Sequence, residues 1–430
     1  MYLSQPSIIK NYFENFNIKI GVHKKRILGE LVGGLLMCHG KRTYESLSKV
    51  FYDNQKNKTS VRSFYESKNF RSRDILKYNV SSIINDKENE LKTEGLYVLI
   101  FDGTSIQRGA DTLVESAIKY KNKRAKGIKK RSTKSHLFTM GILIMPNGMR
   151  IPMPRYSYYS KNYCKKNGMK YYTLHEHASA MIEYCRSLVP KNADFAVVAD
   201  GYYDSKIIFD TCNRANAVYV TVADSARVYA HKKKLYDKGL KKKKDAQTLN
   251  IIKGKEEYTK EHLRHASCSS GKKKDTYNVA SEILNLSKLG EIRVIYSWKK
   301  NNKKSNSDSY KILFCSDTNI KVRKIIELYA LRWQVEIFFR ELKSEIGLCD
   351  YSGKEFRVQE RFIDVCLLAF LFLEYYRIKM LKKEKSKKLK GKIKYMRTKG
   401  LVVFLKKECI EENKLTIKVF KNDCFNKKAA

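Results

Sequence analysis

No run of about 18 apolar residues occurs in the chain, so no segment reads as a membrane-spanning helix. The greasiest stretch, LLAFLFLEYY from Leu367, is too short to span a bilayer and reads as a buried helix. The first residues, MYLSQPSIIKNYF, lack a charged start followed by an apolar core. They do not read as a signal peptide, and a cytosolic protein is expected. The 10 cysteines include no C-x-x-C pair and no Cys/His grouping at zinc spacing, which argues against a finger-type metal module. Reduced, mostly buried thiols are expected instead. The 8 histidines are equally scattered; His175 and His177 alternate at the start of a helix-like segment and read as structural. Acid is scarce: Asp+Glu number 44 against 88 Lys+Arg, a formal net charge of +44. That excess is far beyond what solubility needs and predicts a polyanionic partner, nucleic acid before an anionic membrane surface.

What is present changes period along the chain. Residues 1–90 read as helical, with amphipathic segments at Lys24–Cys38, Arg42–Phe51 and Phe70–Asn85. Between the last two, KTSVRSF (Lys58–Phe64) is a short basic helix of a kind that docks on duplex DNA, the alternative being an ordinary helical bundle. LYVLIF (Leu96–Phe101) then reads as a buried strand ending at Asp102-Gly103-Thr104. Residues 119–134 hold nine Lys/Arg among sixteen and read as a solvated basic loop. The apolar runs His136–Met145 and Met149–Pro154 flank Pro146-Asn147-Gly148, a hairpin signal. A helix over Tyr172–Leu188 follows, then a strand at Phe195–Ala199 ending in Asp200-Gly201, a helix at Ser205–Asn213 and a strand at Ala217–Val222. Two apolar strands thus end in aspartate, and ligands of α/β sheets gather at carboxyl edges. A strand-terminal aspartate is also a common turn or cap residue.

From residue 224 to about 318 the chain becomes lysine-rich, with alternating segments at Glu291–Trp298 and Tyr310–Cys315; this reads as a β-rich insertion. Trp298, at the mouth of an expected basic hairpin, could stack on an extruded base or anchor a small core. Next comes ELYALRWQVEIFFRELKSEIGL (Glu327–Leu348), which reads as one helix. Its Tyr329, Arg332, Glu336, Arg340 and Lys343 fall within about a third of the circumference. One acid sits there among three cations and a tyrosine. Taken alone, such a face is usually solvated. Phe356–Met380 reads as a helix packed beneath the sheet, Lys382–Arg397 as a lysine-dense arm or solvated helix, and residues 398–430 as a short mixed tail.

Asp102, Asp200 and Glu336 together form a set of hard oxygen donors suited to a pair of Mg²⁺ ions at a phosphodiester. Tyr329, Arg332 and Lys343 would hold phosphates beside them. At this point a resemblance emerges. Tyr329-x2-Arg332-x3-Glu336-x6-Lys343 resembles the Y-(2)-R-(3)-E-(6)-K signature of bacterial insertion-sequence DDE transposases of the insertion-sequence-four type. Trp333 after the arginine and Gly347-Leu348 after the lysine also fit. Asp102 in IFDGTSI and Asp200 in VVADGYYD look like the family's two aspartates, with spacings of 98 (200 − 102) and 136 (336 − 200) residues. Asp200 is preferred over Asp204 because it directly ends the strand; Asp204 reads as a helix cap.

The resemblance covers roughly residues 90–380. It implies an RNase H-like catalytic core, a mixed sheet with flanking helices, interrupted by a β-rich insertion. The expected divisions are an N-terminal helical DNA-binding region (1–90), the first part of the core (91–223), the insertion (224–318), the last part of the core (319–380) and a basic tail (381–430). It further implies cut-and-paste transposition with Asp102, Asp200 and Glu336 as catalytic metal ligands for two Mg²⁺ ions, for which Mn²⁺ can substitute. Tyr329, Arg332, Trp333, Arg340, Lys343 and Trp298 are the expected DNA-binding residues. The partners would be double-stranded DNA (terminal inverted repeats and target) and a second copy of the chain in a synaptic dimer, in the bacterial cytosol at the nucleoid. Two rival readings stand beside it: a related nuclease or resolvase that cuts without joining, and a catalytically inactive, transposase-derived DNA-binding protein.

Overall fold

The computed structural model describes residues 5–15, 21–50, 58–85, 95–108, 118–121, 132–223, 228–230, 247–248, 264–270, 273–286, 288–299, 311–351 and 353–426. Five helices open the chain: α1 (Ser7–Asn15), α2 (Val22–Met37), α3 (Tyr44–Ser48), α4 (Lys58–Glu66) and α5 (Ser72–Asn85). α3 is shorter than the expected Arg42–Phe51 segment; it is capped by Thr43, whose hydroxyl accepts from the Ser46 amide at 3.1 Å. These helices share one continuous hydrophobic core with the rest of the molecule. Ser72 Oγ donates to Asp364 at 2.6 Å and Arg361 donates to the Tyr65 carbonyl, fastening the helical layer to the long helix described below.

Among the described residues, the strands form a single sheet. They are β1 (Leu96–Arg108), β2 (Ile118–Lys121), β3 (Ser132–Ile144), β4 (Arg150–Pro152), β5 (Tyr156–Tyr158), β6 (Asp194–Val198) and β7 (Val218–Val222). Then follow β8 (Val228–Ala230), β9 (Gln247–Thr248), β10 (Arg264–Ser270), β11 (Lys273–Leu286), β12 (Gly290–Lys299) and β13 (Lys311–Cys315). The path across the sheet is β2-β3-β1-β6-β7-β13-β12-β11-β8-β9, with β4 and β5 also on β3 and β10 on β11. β1, β6 and β7 run parallel and the remaining pairs antiparallel. The lysine-rich segment after residue 224 therefore extends the central sheet through β13, which pairs with β7. Residues 300–310, between β12 and β13, lie outside the described residues. The ends of the expected basic loop at 119–134 are strand: β2 pairs with β3, and residues 122–131 lie outside the described residues.

The parallel strands are joined by helices, as parallel pairing requires. α6 (Lys161–Lys166) and α7 (Leu174–Leu188) lie between β5 and β6, and α8 (Lys206–Arg214) between β6 and β7. α7 begins with a capping box: Thr173 accepts from the Glu176 amide and Glu176 returns the bond. The Asn-Gly hairpin forms as expected, with Gly148 at φ +80° and Ile144 paired with Arg150.

The C-terminal part is helical: α9 (Val322–Ala330), α10 (Trp333–Glu341), α11 (Phe356–Lys383), α12 (Lys387–Lys394) and α13 (Thr398–Asn426). Two expectations change here. The segment Glu327–Leu348 is not one uniform helix. It tightens at Leu331–Arg332, where amides bond back three residues, and widens into a π-turn at Leu342–Ile346, ended by Gly347 at φ +85°. Thr398–Asn426 form a helix rather than a mixed tail. No described helix is long and apolar enough to cross a membrane.

Register decides which side of the sheet each helix covers. Cross-strand partners share a face and neighbours along a strand alternate. Arg150, paired with Ile144, reaches Glu341 of α10 and Glu374 of α11. Ile144, Ile142 and Met140 therefore face α10 and α11. Gly141 faces the other way, toward Met181 of α7. Asp102 pairs with Met140, so it lies on the α10 side.

Candidate functional site

β1 continues past Asp102 to Arg108 against β3, so Asp102 does not end the strand as the sequence suggested. What ends there is the parallel pairing with β6, whose last partners are Ile100 and Val198. Asp102 and Asp200 each lie two residues beyond that pair. Period-two alternation thus sets them side by side, on the α10 face, at the carboxyl edge of the parallel strands. Asp200 starts a single 3-10 turn, Gly201–Tyr203, and its Oδ1 accepts from the Tyr202 amide at 2.9 Å. Asp102 Oδ1 accepts from the Gly103 amide at 2.6 Å. The N-cap of α8 is Ser205, so Asp204 does not occupy the cap position expected for it.

α10 brings the third acid. Glu336 sits in its first turn, and Arg332 Nη2 donates to Glu336 Oε1 at 2.7 Å. The carboxylates feel one another. Burial first, then the charge of Asp200 and further off that of Glu336, pushes the Asp102 carboxyl up to about 6, against the opposing Gly103 amide and Arg332. Tyr203 is pushed above its ordinary value by burial and then by Asp102 and Asp200. Tyr329 is raised by burial and by Asp200 and Glu336, with Arg332 opposing. Burial alone would lower Arg332, but Tyr329, Glu336 and Asp200 together raise it. So Asp102, Asp200, Glu336, Tyr329, Arg332 and Tyr203 form one electrostatic unit assembled from β1, the end of β6, α9 and α10.

As the side chains stand, no three His, Cys, Asp or Glu among the described residues form a ready metal cluster. Glu336 is held by Arg332, Asp102 by the Gly103 amide and Asp200 by the Tyr202 amide. The donor set nevertheless suits a hard divalent cation. It consists of three carboxylates on one edge, one of them pushed up by burial and then by the charge of the other two, which a cation would offset.

The other expected site residues are placed as follows. Tyr329 is partly buried, with the Lys311 ammonium 5.9 Å from its ring centre. Arg340 is exposed in the last turn of α10. Lys343 lies in the π-turn and donates to the Ser105 carbonyl of β1 at 3.3 Å, tying the end of the helix to the strand that carries Asp102. Trp333 opens α10 and is 51% exposed, so it does not pack the helix onto the sheet. Trp298 lies on β12 opposite Asn278, and its side chain falls outside the described residues.

Sequence reasoning missed three neighbours. Tyr203 packs edge-on against Phe101 at 4.9 Å, beneath the two aspartates. His175 Nε2 bonds the Tyr202 carbonyl at 3.0 Å and its ring stacks on Tyr202 at 5.0 Å and 16°. It thereby buttresses the turn that presents Asp200, a role its alternation with His177 could not reveal. Glu341 of α10 is salt-bridged to Arg150 of β4 at 2.9 Å and so anchors the helix bearing Glu336 to the sheet.

No curated protein matches the chain. Residues 161–372, which include Asp200 and Glu336 and begin beyond Asp102, match the family model described as "Transposase DDE domain", and this match supports a DDE transposase, an enzyme of the transposase and nuclease kind.

Proposed function

We propose that the chain is a DNA transposase of the cut-and-paste, insertion-sequence-four type, with an RNase H-like core. The observation that carries this reading is the coupling of Asp102, Asp200 and Glu336 at one sheet edge, with Asp102 raised to about 6 by burial and by the other two acids. A DNA-binding protein without chemistry has no need to hold three carboxylates where phosphates must approach. The chain's charge of +44 supplies the attraction for DNA.

Asp102, Asp200 and Glu336 would hold two Mg²⁺ ions, with Mn²⁺ able to replace them; such ions supply Lewis-acid activation of the attacking oxygen and neutralise charge on the leaving oxygen. The chain's own residues do the rest. Arg332, positioned by Tyr329, exchanges its bond to Glu336 for one to a DNA phosphate. Lys343 and Arg340 extend that cationic row along the backbone, and exposed Trp333 lies against the duplex. His175 and Tyr203 keep the Asp200 turn in place. Water attacks at the element end to free a 3′-OH, which then attacks target DNA. The N-terminal helices and the lysine-rich strands β8–β13 flank the site as further DNA-binding surfaces, and two copies act together because two ends must be joined.

The test is Glu336→Gln, assayed on duplexes carrying the ends of the encoding element. Mg²⁺-dependent end cleavage disappears while end binding stays within a few-fold of the parent. Full cleavage by the variant would sink the assignment.

A further inference from the structure

The stretch Tyr156–His177, YSYYSKNYCKKNGMKYYTLHEH, interleaves tyrosines and histidines with Lys161, Lys165, Lys166 and Lys170. In the fold it runs from β5, paired with β3, to the start of α7, where His175 meets the turn that follows Asp200. Tyr156 pairs with Thr139 and Tyr158 with Leu137, positions that share the face of Gly141 and hence of α7. The rings are arranged rather than scattered. His175 stacks on Tyr202 at 16°, and Tyr159 stacks on Tyr163 at 5.5 Å and 17°. The Tyr158 and Tyr171 hydroxyls are 3.2 Å apart. Cations lie over the rings: Lys161 is 5.3 Å from Tyr171, Lys170 is 5.1 Å from Tyr172 and Arg73 is 4.8 Å from Tyr156.

Within this surface lies a cavity of about 460 Å³ whose walls include Tyr156, Tyr159, Tyr172, His177, Arg73 and Lys170. His177 is 7% exposed, and its Nδ1 has no hydrogen-bond partner; the Nε of Arg73 has none either. A buried polar atom without a partner is costly unless a ligand satisfies it. The acids nearby are already committed. Glu176 closes the capping box with Thr173, and Glu360 binds Arg155 at 2.9 Å and Ser157 at 2.5 Å. None of the four lysines is in an ion pair among the described residues. The surface therefore offers π-faces, free positive charge and one cavity of nucleotide size.

From this we infer that the tyrosine–lysine surface between β5, α6 and α7 is a binding site for an unpaired stretch of DNA, its bases stacked on the tyrosines and one nucleotide seated in the cavity. Stacking on aromatics in a cationic groove is the chemistry by which single strands are held without sequence preference. The site deepens and rests on the transposase reading, since strand separation at a cut end would supply such a segment beside Asp200. It is separate from Trp298, which lies on β12 at the far side of the sheet path.

The test uses the full chain in chelator, so that no cleavage intervenes. Four probes are compared: a thymidine oligonucleotide of about 12 residues, an abasic oligonucleotide and a uridine oligoribonucleotide of equal length, and a blunt duplex. The thymidine oligonucleotide binds about tenfold more tightly than the abasic one, which carries the same charge without bases. The double variant Lys170→Ala/Tyr172→Ala loses about tenfold affinity for the single strand while duplex affinity stays within twofold, and Tyr172→Phe binds as the parent does. Lys170 and Tyr172 are exposed, so neither change threatens folding. Equal binding of the two oligonucleotides, or an unchanged double variant, overturns the inference. Tighter binding of a uridine oligoribonucleotide overturns the assignment to DNA. Single-strand binding that follows these rules in a chain with no Mg²⁺-dependent end cleavage leaves this site standing and removes the transposase reading instead.

Discussion

The helix that carries Glu336 is anchored by a buried cluster of two cations and two anions, and its charge balance makes a sharp prediction. Arg150 Nη1 bonds Glu341 at 2.9 Å, Arg150 Nη2 bonds Glu374 at 2.7 Å, and Arg377 Nη2 bonds Glu374 at 2.6 Å. The side chains of Arg150, Glu341, Glu374 and Arg377 are 9%, 8%, 1% and 3% exposed. Burial on its own pushes the Glu374 carboxyl up, yet Arg150 and Arg377 hold it below the usual carboxylate range. Its contribution to stability is therefore full above the unfolded carboxylate range and is lost as pH falls through the folded value. In Arg150→Met, Glu374 keeps Arg377, but Glu341 loses its cation and retains only the Thr398 amide at 3.3 Å. Stranding one buried carboxylate costs about 3–5 kcal/mol. In Arg150→Met/Glu341→Leu, the remaining Glu374–Arg377 pair is balanced, and replacing a buried ion pair by apolar groups is often close to neutral. The double variant should thus recover roughly 2 kcal/mol or more relative to Arg150→Met alone. Urea denaturation midpoints at constant slope read this directly. A double variant no more stable than the sum of its two single changes predicts would refute the reasoning, because it would show that Arg150 and Glu341 are not coupled.

Three further outcomes follow from particular contacts. Gly141→Ala places a Cβ 2.7 Å from the Ile100 carbonyl and 2.9 Å from Phe101 Cβ, next to Asp102, and should lower stability by roughly 1–3 kcal/mol in denaturant titration; a neutral result would show that the β1–β3 pair can spread. Gly347→Ala imposes a side chain at φ +85° and crowds Asp350 and Arg42, so it should cost at least about 1–2 kcal/mol and loosen the π-turn bearing Lys343; hydrogen exchange at Leu348, whose amide bonds the Leu342 carbonyl at 2.9 Å, would report it. His177 is pushed down to about 4 mainly by burial, so the unfolded chain binds its proton first as pH falls. Stability should be full above about pH 6.5 and decline toward pH 4 by on the order of 2–3 kcal/mol from this group. His177→Phe should flatten that acid limb in melting-temperature scans, and an unchanged pH profile would remove the assignment.

Local patterns were legible wherever one residue or one period settled the matter. The apolar runs around Asp102 and Asp200 marked strands because buried parallel strands read as continuous hydrophobic stretches. Asn147-Gly148 marked its hairpin because a turn with positive φ demands such residues. The helix over Tyr172–Leu188 was legible as a segment, and the structure adds the Thr173–Glu176 capping box that satisfies its first free amides. Glu336 among the cations of Tyr329–Lys343 read as a solvated face on its own and as a candidate site only together with Asp102 and Asp200. The net charge pointed to nucleic acid through Coulomb attraction alone.

Only the tertiary structure decided how these parts meet. Register, which no local pattern fixes, put Asp102 and Asp200 at equal depth and turned Asp102 toward α10. Packing bent the Glu336 segment into a tight turn and a π-turn, so Arg332 pairs with Glu336 while Lys343 reaches β1. The buried partners Arg150, Glu341, Glu374 and Arg377 come from segments up to 227 (377 − 150) residues apart, and their cluster exists only because charges removed from water must find one another. The tyrosines and lysines of 156–177 follow no helix or strand period that would mark them in the sequence. They became a surface only when β5, α6 and α7 folded them around one edge of the sheet.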